Sequence, residues 1–180
     1  VRADAVIHLA GENRPNDVAD FTRNNVDLTS ALCDAIQSSG RNIPLIFTSS
    51  AQSQHDNPYG QSKLVAEQVI EAFVAKTDNP AIIYRLVGVF GKFCKPNYNS
   101  VVATFCHNIA RDLPIQISDP DFMLELAYVD DVVDELLQGL KTVKSGLLMG
   151  KVSQTYSITL GDLAEKIGAF DNCRSSLISE

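Results

Sequence analysis

Residues 57–63, with the sequence NPYGQSK, closely follow the apolar segment 43–47 (IPLIF) and its polar tail 48–50 (TSS). The apolar segment is typical of a buried β-strand, and the polar tail marks its end. Asn57 predicts a helix N-cap, and Pro58 predicts the first helical residue, where the missing N–H group costs nothing. A strand that leads through a short loop into a helix is the repeating unit of an α/β fold.

Tyr59 and Lys63 lie four residues apart in this predicted helix, so their side chains share one face. A phenol titrates near pH 10 in water, and a neighbouring ammonium group favours its ionised form. The pair is therefore predicted to do acid–base chemistry near neutral pH. A tyrosine four residues before a lysine also arises by chance, so a surface tyrosine on an amphipathic helix stays open as the alternative.

The bulk composition excludes several classes of protein. At 180 residues and 45% hydrophobic, the chain is long enough to bury one substantial core. A net charge of −7, with no run of lysines or arginines, argues against a nucleic-acid partner. No apolar run approaches the roughly 20 residues of a membrane span, so no membrane partner is expected. The four cysteines are Cys33, Cys94, Cys106 and Cys173. They are widely spaced, form no CxxC pair and suggest no metal site. Because they lack the density of a disulfide scaffold, a reducing cytoplasm is favoured.

Strand and helix patterns alternate along the chain. Apolar runs predict strands at 5–10, 43–48 and 81–87, and helical spacing predicts helices at 21–38 and 57–76. This order implies parallel strands joined by right-handed crossovers, that is, a doubly wound parallel sheet with ligands at the carboxyl ends of its strands. Further along, short strands are predicted at 115–117 and 124–129, and helices at 101–111, 130–140 and 159–170.

Four stretches, 6–11 (VIHLAG), 24–26 (NNV), 47–51 (FTSSA) and 59–63 (YGQSK), resemble the extended short-chain dehydrogenase/reductase superfamily. The resemblance implies a Rossmann-like fold and an NADP(H) or NAD(H) cofactor. It also implies that Ser50 hydrogen-bonds the substrate oxygen, that Tyr59 is the acid–base group, and that Lys63 lowers the pKa of Tyr59 and holds the nicotinamide ribose. The cofactor-binding residues that it implies are Leu9, Ala10, Gly11, Asn25, Ser49, Tyr59, Lys63 and Leu86.

Three of the neighbouring residues have alternative interpretations. His8 is interpreted as a strand-end residue in preference to a catalyst. Asn25 serves either the cofactor or only the start of a helix. Ser49 either binds the cofactor or shares the work given to Ser50.

Three further stretches, 11–15 (GENRP), 54–60 (QHDNPYG) and 90–100 (FGKFCKPNYNS), resemble a narrower family, the capsular-polysaccharide enzymes called CapF or WbjC. Members of that family carry an extended short-chain reductase domain followed by a metal-binding cupin domain. The resemblance implies epimerisation and NADPH-dependent reduction of the 4-keto group of a UDP-linked deoxy-hexosulose, towards UDP-N-acetyl-L-fucosamine. It also implies a homodimer for the full-length protein.

The polar loop 92–100 is suited to a nucleotide sugar, because its cations and amides offer hydrogen-bond donors to a diphosphate. Cys94 lies between two lysines, where a thiol is acidic enough to move a proton on a sugar ring during epimerisation. Two alternatives stay open, a solvated surface loop and a cysteine that only fills buried space. The predicted substrate-binding residues are Asn13, Arg14, Ser50, Lys92, Lys95, Asn97 and Asn99, and the predicted catalytic residues are Ser50, Tyr59, Lys63 and Cys94.

The glycine loop GxxGxxG, whose backbone amides hold the cofactor pyrophosphate in the superfamily, has no counterpart in this sequence. Because residues 6–11 already match the superfamily's fourth strand, the sheet is expected to be truncated at the N-terminus. Residues 1–90 are predicted to form a partial dinucleotide-binding portion, and 91–180 a small substrate-binding portion interleaved with it. The isolated chain is therefore expected to bind NADPH weakly and to show no reductase activity.

Neighbouring chemistries and functions remain as alternatives. A sugar 4,6-dehydratase of the superfamily usually has Thr-Asp-Glu where this chain has 50–52 (SAQ), and no carboxylate is present there to help eliminate water. A sugar 4-epimerase, a catalytically incompetent fragment, a nucleotide-sugar-binding module and an interaction domain stay open. Retention of Ser50, Tyr59 and Lys63 together favours an enzyme.

Overall fold

The structure of the protein is a computed structural model, and it describes residues 3–172; Cys173 lies outside the described residues. The chain forms two compact units. The first takes in the chain up to Leu86 together with Val133–Val152, and the second takes in Val87–Val132 and the chain from Ser153 onward. The functional roles predicted for 1–90 and 91–180 stay predictions.

A four-stranded parallel sheet forms the frame of the first unit. Its strands are β1 (Val6–His8), β2 (Leu45–Ser50), β3 (Ala81–Leu86) and β6 (Leu147–Gly150), in the order β1-β2-β3-β6. Every neighbouring pair is parallel, with Ile7, Ile46, Ile82 and Leu148 aligned in one row across the sheet. The predicted parallel α/β fold of the Rossmann-like type is confirmed.

Helices cover both faces of this sheet. The first helical stretch runs from α1 (Ala19–Phe21) through a π-helical turn (Thr22–Asp27) into α2 (Leu28–Ser38). It is followed by α3 (Pro58–Thr77), and α5 (Val129–Thr142) comes later in the chain.

Alternate residues of the central strands serve these two faces, as expected for strands buried on both sides. On one face, side chains of α2 and α3 pack on β2 and β3. On the other face, Gly139 of α5 lets the helix approach closely, since a Cβ atom there would lie 2.6 Å from Tyr84 Oη and 3.0 Å from Ile82 Cδ1. The core residues between the sheet and α2 and α3 are Cys33, Ile36, Ile43, Leu45, Phe47, Ala66, Ile70, Phe73, Val74, Ala81 and Ile83.

The second unit has its own sheet and its own core. The sheet contains β4 (Gly88–Phe90), β5 (Met123–Tyr128) and β7 (Tyr156–Thr159), with β5 in the centre. β4 and β5 are parallel, whereas β5 and β7 are antiparallel. Two helices, α4 (Val101–Ile109) and α6 (Leu160–Asn172), pack around buried Phe105, Leu160, Leu163 and Ala164.

The strand predicted at 115–117 is wrong. Ile115 packs against the core of the second unit, but no strand is formed there. A short apolar run becomes a strand only where another strand pairs with its backbone, and here the partly buried Ile115 side chain packs on the core without such pairing. Conversely, β4, β6 and β7 were not predicted, because each is only three or four residues long.

Within residues 3–172, no helix is both long and apolar enough to cross a membrane.

Candidate active site

The first turn of α3 sets the position of Tyr59. The Asn57 side chain accepts a hydrogen bond of 2.8 Å from the Gly60 backbone N–H, and Pro58 opens the helix, as the sequence predicts. Gly60 also allows this turn to lie against the backbone ahead of it: a Cβ atom at residue 60 would lie only 2.1 Å from the carbonyl oxygen of Gln52. The start of the helix is therefore held both by its cap and by this close approach.

Ser50 and Tyr59 are brought together. Ser50 is the last residue of β2, its hydroxyl accepts a 3.2 Å hydrogen bond from the Gln52 N–H, and it also hydrogen-bonds the Tyr59 phenol. Burial raises the pKa of Tyr59 above its ordinary value, while the Ser50 hydrogen bond opposes that rise. Tyr59 therefore carries its proton near neutral pH, and the role of Lys63 towards this phenol stays a prediction.

Lys63 is buried one turn further along α3. Its ammonium lies 4.4 Å from the centroid of the Phe47 ring, and only 5% of the residue is exposed. Burial lowers the pKa of Lys63 to about 8, although the nearby Glu67 carboxylate raises it. Among residues 3–172, no hydrogen-bond acceptor or ion-pair partner contacts this ammonium, so its charge is available to a ligand.

Asn25 lies in the π-helical turn and ties three segments together. Its Oδ1 accepts a 2.7 Å hydrogen bond from the Glu12 N–H, and its Nδ2 donates to the Glu12 carbonyl and to Ser62 Oγ, each at 2.9 Å. The residue is 2% exposed. Asn25 therefore fixes the loop after β1 against α3, which is more than a role at the start of a helix.

The carboxyl end of β1 runs past these groups. Leu9, Ala10 and Gly11 are exposed, and a Cβ atom at Gly11 would lie 2.8 Å from Asn25 Oδ1 and 3.6 Å from Lys63 Nζ. Leu86, at the end of β3, is half-buried. An exposed strand end that leads into the small residues Ala10 and Gly11, next to an unpaired buried ammonium, fits a dinucleotide cofactor at the place where parallel sheets bind ligands.

His8 is buried beneath this strand end. Its Nε2 atom lies 3.0 Å from Thr29 Oγ1, and its ring lies 5.3 Å from that of Phe47. Burial lowers the pKa of His8, and the positive charge of Lys63 lowers it further. These contacts support the interpretation of His8 as a strand-end residue that stays neutral.

Sequence reasoning missed a buried ionic cluster next to these residues. Ser49 is buried and makes a short hydrogen bond to the Glu67 carboxylate. The Arg85 guanidinium clamps the same carboxylate, with Nη2 at 2.6 Å and Nε at 3.1 Å from Oε2. The only signal in the sequence was the position of Glu67, four residues after Lys63 and eight after Tyr59, on the same helix face.

The remaining predicted substrate contacts are divided between the two units. In the first, the Asn13 and Arg14 backbone N–H groups both donate to the Glu12 carboxylate, each at 2.9 Å, and Asn13 Oδ1 is buried with no partner among the described residues. In the second, Lys92 forms a 2.8 Å ion pair with Asp130.

The other residues of the predicted substrate loop also belong to the second unit. The Lys95 ammonium lies 5.7 Å from the Tyr98 ring centroid, and Cys94 is exposed, so it does not fill buried space. Asn97 and Asn99 are exposed as well. The described residues contain no cluster of three or more histidine, cysteine, aspartate or glutamate side chains arranged to hold a metal ion.

Comparison with known proteins gives consistent matches. A model of the NAD dependent epimerase/dehydratase family matches residues 1–153. The chain is 46% identical over 174 residues to the UDP-2-acetamido-2,6-beta-L-arabino-hexul-4-ose reductase of Pseudomonas aeruginosa, a match that covers 97% of this chain and 47% of that protein.

Solved structures agree. The capsular polysaccharide assembling protein CapF from Staphylococcus aureus superposes with a TM-score of 0.81 and 36% identity, over 96% of this chain and 46% of that one. The UDP-glucuronic acid 4-epimerase from Bacillus cereus, in complex with UDP-glucuronic acid and NAD, superposes with a TM-score of 0.84 at 19% identity, which shows the fold alone. The predicted resemblance to CapF is confirmed, and the chain spans about half the length of CapF and of the Pseudomonas reductase.

Proposed function

The chain belongs to the NAD dependent epimerase/dehydratase family. From that membership we propose that it binds NADP(H) or NAD(H). We further propose that it acts as an epimerase and reductase on a UDP-linked deoxy-ketohexose. The observation that carries this proposal is the constellation at the start of α3. Ser50 hydrogen-bonds the Tyr59 phenol, and the unpaired Lys63 ammonium lies one turn further along the helix. The similar Pseudomonas protein, named as a reductase of a UDP-linked hexulose, supports the same substrate class.

Each residue of the constellation has a defined task in this proposal. A bound nicotinamide dinucleotide supplies the hydride that reduces a sugar ketone. The Tyr59 phenol, kept protonated by burial, donates its proton to the ketone oxygen, and the Ser50 hydroxyl hydrogen-bonds the same oxygen. The Lys63 ammonium donates hydrogen bonds to the ribose of the cofactor and stabilises the phenolate that forms when Tyr59 gives up its proton.

The cofactor and sugar contacts are assigned to the predicted residues. The exposed backbone of Leu9, Ala10 and Gly11 would hold the dinucleotide, with Ser49, Asn25 and Leu86 as the further predicted contacts. The Lys92 to Ser100 loop stays the predicted contact for the diphosphate of the sugar nucleotide, and Lys95 in this loop has no ion-pair partner among the described residues. The homodimer and the cytoplasmic location stay predictions.

Substitution of Tyr59 tests the proposed function. In the full-length protein, Tyr59→Phe removes the proton donor and leaves packing nearly unchanged, so turnover should fall roughly 100-fold or more. The measurement is NADPH oxidation with a UDP-linked 4-keto sugar as substrate. Tyr156→Phe is the matched control, since this exposed tyrosine lies on β7 and should leave turnover unchanged.

The outcomes separate the alternatives. Turnover of Tyr59→Phe within a few-fold of the wild-type rate would contradict the assignment of Tyr59. If the wild-type protein binds the UDP-sugar without oxidising NADPH, the chain is instead a nucleotide-sugar-binding module. Conversion of a UDP-sugar that carries a 4-hydroxyl group into its C4 epimer, with no net NADPH consumption, would identify a 4-epimerase.

A further inference from the structure

Glu67 is a carboxylate that no step of the proposed reaction uses, yet it is 2% exposed in the middle of α3. A buried carboxylate is costly unless its oxygens are paired and hydrogen-bonded. Here both oxygens have partners, because Arg85 Nε lies 3.1 Å from each of them, Arg85 Nη2 lies 2.6 Å from Oε2, and the Ser49 hydroxyl donates to Oε1. The cluster therefore joins β2, α3 and β3 through one side chain.

The cluster acts on Ser50 through its neighbour. Successive side chains of a strand point to opposite faces, so anchoring Ser49 on one face fixes the direction of Ser50 on the other. Ser50 hydrogen-bonds Tyr59, which lies two turns before Glu67 on the same helix. One carboxylate thus holds the strand that carries the hydroxyl against the helix that carries the phenol.

The cluster also faces Lys63. Lys63 and Glu67 are one helical turn apart, and both are almost completely buried, so they lie on the same inner face of α3. The charged and titratable groups near the ammonium are Glu67 on its own helix and His8 on β1, and Arg85 on β3 is paired with Glu67. Because His8 stays neutral, the Glu67 carboxylate is the negative charge that opposes the cost of burying the ammonium.

We propose that Glu67 is a positioning residue: it fixes Ser50 against Tyr59 through Ser49, and it keeps the Lys63 ammonium charged. The inference rests on the proposed function for its meaning in catalysis. It makes a prediction about Lys63 and Tyr59, however, that can be measured without any turnover.

The test is NMR titration of the full-length protein with isotope-labelled lysine and tyrosine side chains. Glu67→Gln keeps the shape of the side chain and removes its charge, so the pKa of Lys63 should fall by about one further unit. Ser49→Ala releases the strand end, so the Ser50 hydrogen bond should weaken and the pKa of Tyr59 should rise. Glu71→Gln, the same substitution one turn further along and exposed, should change neither value.

Enzyme kinetics provide a second readout. If catalysis needs the Lys63 charge, Glu67→Gln should move the alkaline limb of the pH profile of kcat to lower pH. This shift should equal the fall in the pKa of Lys63. Glu67→Asp should return the alkaline limb to its wild-type position. Ser49→Ala should lower kcat with little change in the KM for the UDP-sugar, because it misplaces the Ser50 hydroxyl and leaves the other predicted sugar contacts in place.

Different results overturn different statements. Unchanged pKa values of Lys63 in Glu67→Gln and of Tyr59 in Ser49→Ala would overturn the inference, whatever the activity of the protein. The predicted shifts in a protein that does not oxidise NADPH would support the inference and contradict the proposed function. If Glu67→Gln does not fold, Ser49→Ala still decides the strand-fixing part, and Glu67→Asp, which keeps the charge, should leave the pKa of Lys63 at its wild-type value.

Discussion

Ser49 and Ser50 are neighbours at the end of β2, and their hydroxyl groups lie in different surroundings. Ser49 is buried against the Glu67 carboxylate, whereas Ser50 is half-buried and hydrogen-bonds Tyr59. The hydroxyl of Ser50 is thus placed beside the proton donor, and that of Ser49 is occupied by a carboxylate. Because side chains alternate between the two faces of a strand, the Ser50 hydroxyl is available for chemistry while its neighbour Ser49 has a structural role.

Cys94 is the residue whose role depends most on the epimerisation step. It is exposed in the loop that carries Lys92 and Lys95, and the proton transfer on a sugar ring that the sequence predicts for it stays a prediction. Cys94→Ser should slow solvent-deuterium incorporation into the sugar more than it slows hydride transfer, because serine is a far weaker acid than cysteine. Cys106→Ser, at another exposed cysteine, is the control. Equal effects on both steps would remove Cys94 from the proposed mechanism.

At the scale of secondary-structure elements, α3 organises the site. One helix carries Tyr59, Lys63 and Glu67 at four-residue intervals, so three functional side chains follow one line along its inner face. Its first turn is fixed by the Asn57 cap and by the approach of Gly60 to the backbone of Gln52. Any change that moves this turn moves Tyr59.

Two glycine-to-alanine substitutions should therefore have opposite effects. A Cβ atom at Gly60 would lie 2.1 Å from the Gln52 carbonyl oxygen, so Gly60→Ala should lower the free energy of unfolding by about 3 kcal/mol and displace Tyr59. A Cβ atom at Gly168, in α6, would meet nothing within 4 Å, so Gly168→Ala should raise the free energy of unfolding by up to about 1 kcal/mol. Urea denaturation measures both. A Gly60→Ala variant as stable as the wild type would contradict the packing at the start of α3.

At the scale of the whole molecule, the site has a cost in stability. Folding buries the Lys63 ammonium, and the partners that the structure provides, the Phe47 ring and the Glu67 carboxylate, do not restore its ordinary pKa. Natural proteins retain such unfavourable groups where function requires them. The protein thus keeps the Lys63 charge that the proposed reaction uses, although burying this charge lowers the free energy of unfolding.

The pH dependence of unfolding tests this cost. The pKa of Lys63 is about 8 when folded, against an ordinary value of 10.5, so the unfolded chain binds the proton more tightly. The penalty is complete below about pH 8 and is relieved as the pH rises towards 10.5. Lys63→Met should therefore raise the free energy of unfolding at pH 7 by about 1 to 3 kcal/mol, with loss of the Phe47 contact offsetting part of the gain.

The comparison is made by denaturant unfolding at pH 7 and again near pH 10, where the difference between Lys63→Met and the wild type should shrink. Lys76→Met, at an exposed lysine on the same helix, should leave stability nearly unchanged at both pH values. A Lys63→Met variant that is less stable than the wild type at pH 7 would show that the ammonium is favourable where it lies.

Local features of the sequence were enough to predict the alternation of strand and helix, the Asn57 cap and the alignment of Tyr59 with Lys63, because these depend on periods of a few residues. The packed fold alone determined the contact of Ser49 with Glu67, the pairing of Glu67 with Arg85, and the raised pKa of the Tyr59 phenol. It also determined that 115–117 forms no strand. Burial and contacts between different elements set these properties, such as the pairing of Glu67 with Arg85, 18 residues further along the chain. A short stretch of sequence encodes neither.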